Sequence, residues 1–137
     1  EARRVGFDLR VENITFARNN ELVFANAYDM LPLRWINADP SLLEIPFHSR
    51  NIPEPGRYKF NWSRVADPEL DRVLEQGAGV VDPARRNELY ADAQRRIMDQ
   101  ALWFPIHNQV QTVAWRANRT GYRFARAQWM VRFYEVG

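Results

Sequence analysis

Three Asp-Pro pairs, Asp39-Pro40, Asp67-Pro68 and Asp82-Pro83, constrain the fold of this 137-residue chain more than any other feature. An aspartate accepts hydrogen bonds from the unpaired N–H groups at a helix start, and proline tolerates the first helical position because it has no N–H to donate. Each pair therefore predicts the start of a helix. The same role explains the three carboxylates fully, without a part in catalysis.

The second and third pairs begin the two clearest helices of the sequence. The first of these helices is expected to end at Gly77, and the short link Gly77-Ala78-Gly79 would make the two helices antiparallel neighbours. Each helix carries apolar residues at helical spacing on one side. These residues are Leu70, Val73 and Leu74 in the first helix and Leu89, Tyr90, Ala93 and Ile97 in the second.

The first 35 residues predict a strand, a helix and a second strand. Residues 7–11 alternate apolar and charged side chains, which is typical of a half-buried strand. Asn19 and Asn20 would cap a short helix over residues 21–25. Residues 28–35 are mostly apolar, contain a proline and end in an aromatic residue, which favours a strand with a bulge or an edge position. This order predicts parallel pairing with a right-handed crossover.

The remaining segments complete an expected α/β chain. Residues 41–47 predict a short helix, and residues 48–57 a long loop that contains two prolines and a glycine. Loops of this length in compact domains are often functional. Three further short strands are expected over residues 102–106, 110–115 and 128–136.

Two segments carry the candidate ligand-binding residues. Open α/β sheets bind ligands just past the carboxyl ends of their strands, and the predicted strand over residues 28–35 ends there in a polar turn. The second segment, which follows the long loop, alternates aromatic and polar residues. Ligand sites are mostly apolar with a few oriented polar groups. The candidates are Arg34, Trp35, Asn37, Phe60, Asn61 and Trp62.

Two alternatives stay open for these candidates. The first segment is also consistent with a strand followed by an ordinary surface turn, and each aromatic residue taken singly is consistent with core packing. Phe60 and Trp62 share one parity and Asn61 has the other, so the three side chains would not all face one way on an ordinary strand.

The composition excludes several kinds of chemistry. The chain has no cysteine, which excludes disulfides, thiolate nucleophiles and cysteine-based zinc sites. His48 and His107 lie far apart, and the sequence contains neither a G-x-S-x-G motif nor a glycine-rich phosphate loop. We therefore expect no catalytic residue, no metal and no cofactor, and a binding protein rather than an enzyme.

The charge and hydropathy patterns disfavour nucleic acid as a partner and a membrane-spanning segment in this chain. The 19 basic and 17 acidic residues are interleaved along the chain, so they form no basic stripe that would predict nucleic-acid binding. No apolar run approaches the roughly 20 residues that span a bilayer, and no signal peptide is recognisable.

Several short motifs occur along the chain in a characteristic order. They are Gly6-Phe7-Asp8-Leu9, Tyr28-Asp29-Met30, Arg34-Trp35, Ala38-Asp39-Pro40, Phe47-His48-Ser49, Asn61-Trp62-Ser63, Asp67-Pro68-Glu69-Leu70-Asp71, Asp82-Pro83-Ala84-Arg85-Arg86, Leu89-Tyr90, Ala93-Gln94, Trp103-Phe104-Pro105-Ile106 and Gly121-Tyr122. Their order and spacing resemble the C-terminal portion of family 5 extracytoplasmic solute-binding proteins, the oligopeptide, dipeptide and nickel receptors of ABC importers.

The resemblance implies an α/β fold, namely one lobe of a two-lobed periplasmic-binding-protein type II fold, with a mixed sheet and flanking helices. Residues 1–107 would form the C-terminal lobe, and residues 108–137 a tail that in relatives returns to the other lobe. Since the chain begins without methionine inside a strand pattern, we expect a longer protein whose remaining N-terminal part supplies the other wall of the cleft. The fragment alone would expose apolar surface where that part packs.

The resemblance also implies the partners and the location. The protein would capture a small-molecule solute for the membrane permease of an ABC importer, in a periplasmic or extracytoplasmic location, with or without a lipid anchor. The alternative is a stand-alone structural or protein-interaction α/β domain that has no small-molecule site.

One departure from the family pattern concerns the solute. Peptide-binding relatives carry an aspartate soon after the tryptophan, which holds the amino terminus of the peptide, whereas Trp35 is followed here by Asn37. An amide lacks the charge that an ammonium group pairs with best. This difference disfavours a peptide and leaves a sugar or another small solute open. Arg34, where relatives often have glycine, would either bind an anionic group or point outward.

Overall fold

The computed structural model describes residues 2–35, 39–107, 114 and 116–118. Their α-helices are α1 (Phe16–Ala25), α2 (Glu44–Phe47), α3 (Pro68–Gly79) and α4 (Pro83–Asp99), and short 3-10 helices cover Ala2–Val5, Pro40–Leu43 and Ser49–Asn51. Within these ranges no helix is long and apolar enough to cross a membrane. The strand expected over residues 128–136, and almost all of the strand over residues 110–115 and of the tail 108–137, lie outside the described residues.

The prediction of an α/β fold with a mixed sheet is wrong, because the described ranges are helical and contain no strand. They hold an isolated antiparallel bridge between Glu54 and Arg57. Residues 7–11, 28–35 and 102–106 have no regular secondary structure. Alternating apolar residues favour an extended backbone, but a strand forms only where its N–H and C=O groups pair with a neighbour. Phe7 and Leu9 remain 63% and 55% exposed, so their apolar side is not buried against a second layer.

The prediction that the three Asp-Pro pairs begin helices is confirmed. Asp39 caps the 3-10 helix, Asp67 caps α3 and Asp82 caps α4, and each carboxylate accepts a backbone hydrogen bond from two or three residues further on. The Asp82 carboxylate, for example, accepts from the N–H of Arg85 at 2.7 Å. Such a cap stabilises a helix by about 1 kcal/mol.

Helix α1 begins earlier than the sequence predicts. Thr15 caps it by accepting a hydrogen bond from the N–H of Arg18 at 3.2 Å, so Asn19 and Asn20 lie inside the helix. Thr and Asn are both good capping residues, and the sequence pattern does not rank them. The helix ends at Ala25 and is capped by Asn26, whose left-handed backbone, with φ of 52°, is one that asparagine tolerates.

Helices α3 and α4 pack as the predicted antiparallel pair. The Gln100 amide, just after α4, donates to the Asp67 carboxylate, just before α3, at 2.8 Å. At the other end of the pair, Gly77 of α3 faces the ring of Tyr90. The link consists of residues 80–82, because the expected link residues 77–79 extend α3 by two residues beyond its predicted end.

The core lies between this helix pair, α2 and the chain that leads into α3. All seven apolar positions predicted for the two helices are buried in it. The full cluster is Phe47, Val65, Leu70, Val73, Leu74, Leu89, Tyr90, Ala93 and Ile97. The edge of this core carries the residues of the candidate site.

Gly77→Ala is expected to destabilise the protein by about 1–3 kcal/mol, although alanine is the better helix former. A Cβ atom at Gly77 would lie 3.0 Å from Cζ of the buried Tyr90 ring, so this ring would have to shift by a few tenths of an ångström within a packed core. The matched control is Gly79→Ala in the same helix, where no atom lies within 4 Å of the added carbon. Urea unfolding should show the control equal to or more stable than the wild type by up to about 1 kcal/mol. Equal behaviour of the two variants would contradict the close packing.

Candidate functional site

An aromatic cluster, defined as Phe24, Trp35, Tyr58, Phe60 and Trp62, is the main candidate site. Phe60 contacts three of the other rings, with its ring centroid 4.9 Å from that of Trp35, 5.3 Å from that of Tyr58 and 6.2 Å from that of Trp62. Trp35 and Tyr58 meet Phe60 edge to face, whereas the Phe60 and Trp62 rings are stacked at 26°. Aromatic pairs of these geometries contribute about 0.5–1.5 kcal/mol each beyond their buried area.

Two distant segments are held together at the cluster. The hydroxyl of Tyr28 donates to the backbone carbonyl of Trp62, which ties residues 28–35 to residues 58–62. The Trp62 indole N–H donates to the carbonyl of Lys59 at 3.0 Å, so the polar atom of this ring is satisfied locally. Phe24 of α1 also contacts Tyr58, with the two ring centroids 5.8 Å apart. The cluster is therefore an assembled surface, and its rings are half-buried or exposed.

Asn61 lies behind the rings and is fully buried. Its Nδ2 donates to the carbonyl oxygens of His48 at 3.0 Å and Val65 at 2.9 Å. Its Oδ1 accepts from the N–H of Val65 at 3.2 Å and from the hydroxyl of Ser63 at 3.1 Å. The amide thus uses both donor hydrogens and both lone pairs within the protein.

The structure brings together three of the six sequence-predicted site residues, Trp35, Phe60 and Trp62. Arg34 is exposed beside Trp35 in the chain, and Asn61 is directed into the interior. The sixth residue, Asn37, lies outside the described residues.

Phe24, Tyr28 and Tyr58 are not among the sequence-predicted site residues. Tyr58 could have been found, because the alternation that selects Phe60 and Trp62 extends back to it. Phe24 and Tyr28 reach residues 58–62 through the tertiary fold, and no pattern in the sequence predicts these contacts.

An ion pair between Asp39 and Arg86 joins the start of the 3-10 helix Pro40–Leu43 to α4. Nη2 of Arg86 in α4 lies 2.7 Å from Oδ1 of Asp39, and its guanidinium carbon lies 5.1 Å from the centroid of the Tyr90 ring. The hydrogen bonds from Arg86 and then from Ser41 hold the pKa of Asp39 well below its ordinary value. The Asp39 carboxylate therefore connects the start of the 3-10 helix to α4.

His48 connects the loop behind the cluster to α3. It is 5% exposed, and its Nε2 lies 3.0 Å from a carboxylate oxygen of Glu75. Its Nδ1 lies 3.2 Å from the backbone N of Arg50 and 3.4 Å from a carboxylate oxygen of Asp71. In the described part of the chain, no group of three or more His, Asp or Glu side chains could hold a metal ion.

The sequence of the chain is similar to segments of bacterial di/tripeptide-binding proteins. Three relatives from Pseudomonas aeruginosa (strain UCBPP-PA14) confirm the resemblance. The chain is 31% identical over 114 residues to "Probable di/tripeptide-binding protein 5", 27% over 105 residues to "Di/tripeptide-binding protein 4" and 25% over 127 residues to "Di/tripeptide-binding protein 2".

These alignments cover 82%, 75% and 88% of the chain but only 20%, 19% and 23% of the relatives. The chain therefore spans about a fifth of the length of the curated relatives it matches. All three relatives are named as binding proteins and none as an enzyme. No family model and no solved structure matches the chain.

Proposed function

We propose that this chain is part of a receptor that captures di- or tripeptides for the membrane permease of an ABC importer. The observation that carries the proposal is the similarity of about four fifths of the chain to three di/tripeptide-binding proteins. The receptor acts in a periplasmic or extracytoplasmic location. Its remaining part supplies a second lobe, and closure of the two lobes surrounds the peptide and excludes water.

The aromatic cluster serves as one apolar wall of the peptide site. Trp35, Phe60 and Trp62 present ring surface at the protein exterior and are fixed by one another, so they lose little side-chain entropy when a solute packs on them. Short peptides differ in their side chains, and ring faces accept different apolar groups without specific hydrogen bonds. A wall of this kind suits a receptor for many di- and tripeptides.

Arg34 and Asn37 supply the polar contacts to the two ends of the peptide. The Arg34 guanidinium, which follows the apolar run and precedes Trp35, pairs with the carboxylate terminus in a charge-assisted contact. The amide of Asn37 accepts a hydrogen bond from the ammonium terminus but brings no opposite charge. The carboxylate end of the peptide therefore contributes more to the affinity than the amino end.

The test is isothermal titration of the whole receptor with a dipeptide, the same peptide acetylated at its amino terminus, and the same peptide amidated at its carboxyl terminus. We expect amidation to weaken binding by about tenfold or more, or 1.4 kcal/mol, and acetylation to weaken it less. Arg34→Gln should remove the preference for the free carboxylate. Arg95→Gln, which removes an exposed arginine from α4, is the matched control and should bind like the wild type.

Two results would contradict the proposal. Stronger weakening by acetylation than by amidation would show that the amino terminus is the main anchor and that Arg34 has another role. Absence of binding to any di- or tripeptide at millimolar concentration would reject the peptide receptor and favour a structural or protein-interaction domain.

A further inference from the structure

Asn61 combines complete burial with a position between two rings of the candidate binding surface. Its side chain is 0% exposed, whereas its neighbours Phe60 and Trp62 are half-buried and stack on each other. A buried amide without partners would cost about 1–3 kcal/mol. Here the amide makes four hydrogen bonds, so it is both stable and fixed in orientation.

The partners of this amide belong to two parts of the protein. The His48 carbonyl belongs to the loop after α2, and the His48 ring is in turn held by Glu75 of α3. The bonds to Ser63 and Val65 lie within the turn that leads into α3. The Asn61 side chain therefore connects the ring-bearing segment to the helical core on one side and to its own turn on the other.

The backbone around Asn61 depends on these bonds. The N–H of Trp62 donates to the carbonyl of Phe60 at 2.9 Å, which forms a tight turn, and the N–H of Asn61 donates to the carbonyl of Asn51 at 2.9 Å. Arg64 adopts a left-handed backbone with φ of 52°, which costs energy for a residue with a side chain. Asn61 Oδ1 accepts hydrogen bonds from the Ser63 hydroxyl and the Val65 N–H, and these two bonds stabilise the strained turn.

We infer that Asn61 is a positioning residue that sets the spacing of the Phe60 and Trp62 rings and does not itself touch the solute. The inference rests on the proposed function, because it concerns the same aromatic wall. It assigns Asn61 a role different from the direct contact that the sequence analysis expects. It also makes His48 a part of the support, through its backbone carbonyl.

Asn61→Asp tests the inference in the whole receptor, because the two side chains have nearly the same shape. The introduced carboxylate still accepts from Val65 and Ser63 but no longer donates to the carbonyl oxygens of His48 and Val65, while the His48 oxygen keeps its bond from the N–H of Asn51. We expect the near-ultraviolet circular dichroism of the aromatic cluster to decrease at pH 7.5 and dipeptide affinity to fall at least tenfold. Helix content, measured in the far ultraviolet, should be retained.

Lowering the pH provides a rescue. Once the introduced carboxyl group is protonated it donates one hydrogen bond, so part of the near-ultraviolet signal should return. The wild type is measured over the same pH range as the reference, because the His48 ring lies against the carboxylates of Asp71 and Glu75 near the site. Ser63→Ala is the milder variant, since it removes a single bond to Asn61 and should lower affinity by a few-fold only.

The outcomes separate the inference from the proposed function. A loss of affinity with an unchanged near-ultraviolet signal would show direct contact with the solute and would overturn the inference, as would no change in either quantity. If Asn61→Asp unfolds, Ser63→Ala decides by the same two readouts. If the wild type binds no peptide, the proposed function fails, and the near-ultraviolet signal alone still tests whether Asn61 orders the rings.

Discussion

Leu74→Ala is expected to lower the free energy of unfolding by about 2–5 kcal/mol. Leu74 is completely buried on the side of α3 that packs against α4 and α2. Removing most of its side chain exchanges apolar contacts for a cavity, and the surrounding helices relax only partly. The described part of the chain holds one core cluster, so such a loss is a large fraction of the 5–15 kcal/mol that stabilises a typical domain.

Met98→Ala in α4 is the control for this prediction. Met98 is 53% exposed in the last turn of α4, so truncation removes few contacts and should change stability by less than about 0.5 kcal/mol. Both variants are compared with the wild type by urea unfolding, with far-ultraviolet circular dichroism as the signal. A loss below about 1 kcal/mol for Leu74→Ala would show that α3 does not contribute to the main core in the way described.

The helix pair could be predicted because its determinants are local. An Asp-Pro start needs only the two residues and the next turn, and the apolar positions of α3 and α4 recur at helical spacing within single segments. The helix end was less certain, because glycine is common both at helix ends and in links. Gly77 stays within α3, where the absence of a side chain lets the Tyr90 ring approach.

The sheet could not be predicted because strands depend on partners. The alternation in residues 7–11 is as clear as that of many strands, yet the segment has no regular structure. Val11 is 90% exposed. The alternating pattern therefore indicates that the backbone favours an extended conformation, but it does not identify a segment that would bury the apolar side chains. A helix forms its backbone hydrogen bonds within one segment, whereas a strand forms them with another segment. The local sequence does not identify that second segment.

The candidate site was predicted in part for the same reason. The period-two alternation is local, and it correctly separates the ring side of Phe60 and Trp62 from the buried Asn61. The contacts of Trp35 and Tyr28 with this segment span 25 or more residues of sequence. No spacing rule in the sequence supplies such long-range contacts.

In the proposed peptide receptor, Phe60→Ala is expected to weaken dipeptide binding by about 30-fold or more, which corresponds to about 2 kcal/mol. Phe60 contacts Trp35, Tyr58 and Trp62, so its loss removes the common partner of three rings. Each remaining ring would then gain rotational freedom, which must be lost again when the peptide binds. The effect on affinity should therefore exceed the loss of one apolar contact with the solute.

Phe60→Leu and Phe104→Ala complete this experiment. Phe60→Leu keeps most of the apolar volume but loses the aromatic geometry, so its affinity should fall between those of the wild type and Phe60→Ala. Phe104 is a 72% exposed aromatic residue outside the aromatic cluster, and Phe104→Ala should bind peptides like the wild type. Affinity is measured by calorimetry and stability by urea unfolding on the same samples. If Phe60→Ala lost stability but kept its affinity, the cluster would be a satellite of the core and not a wall of the peptide site.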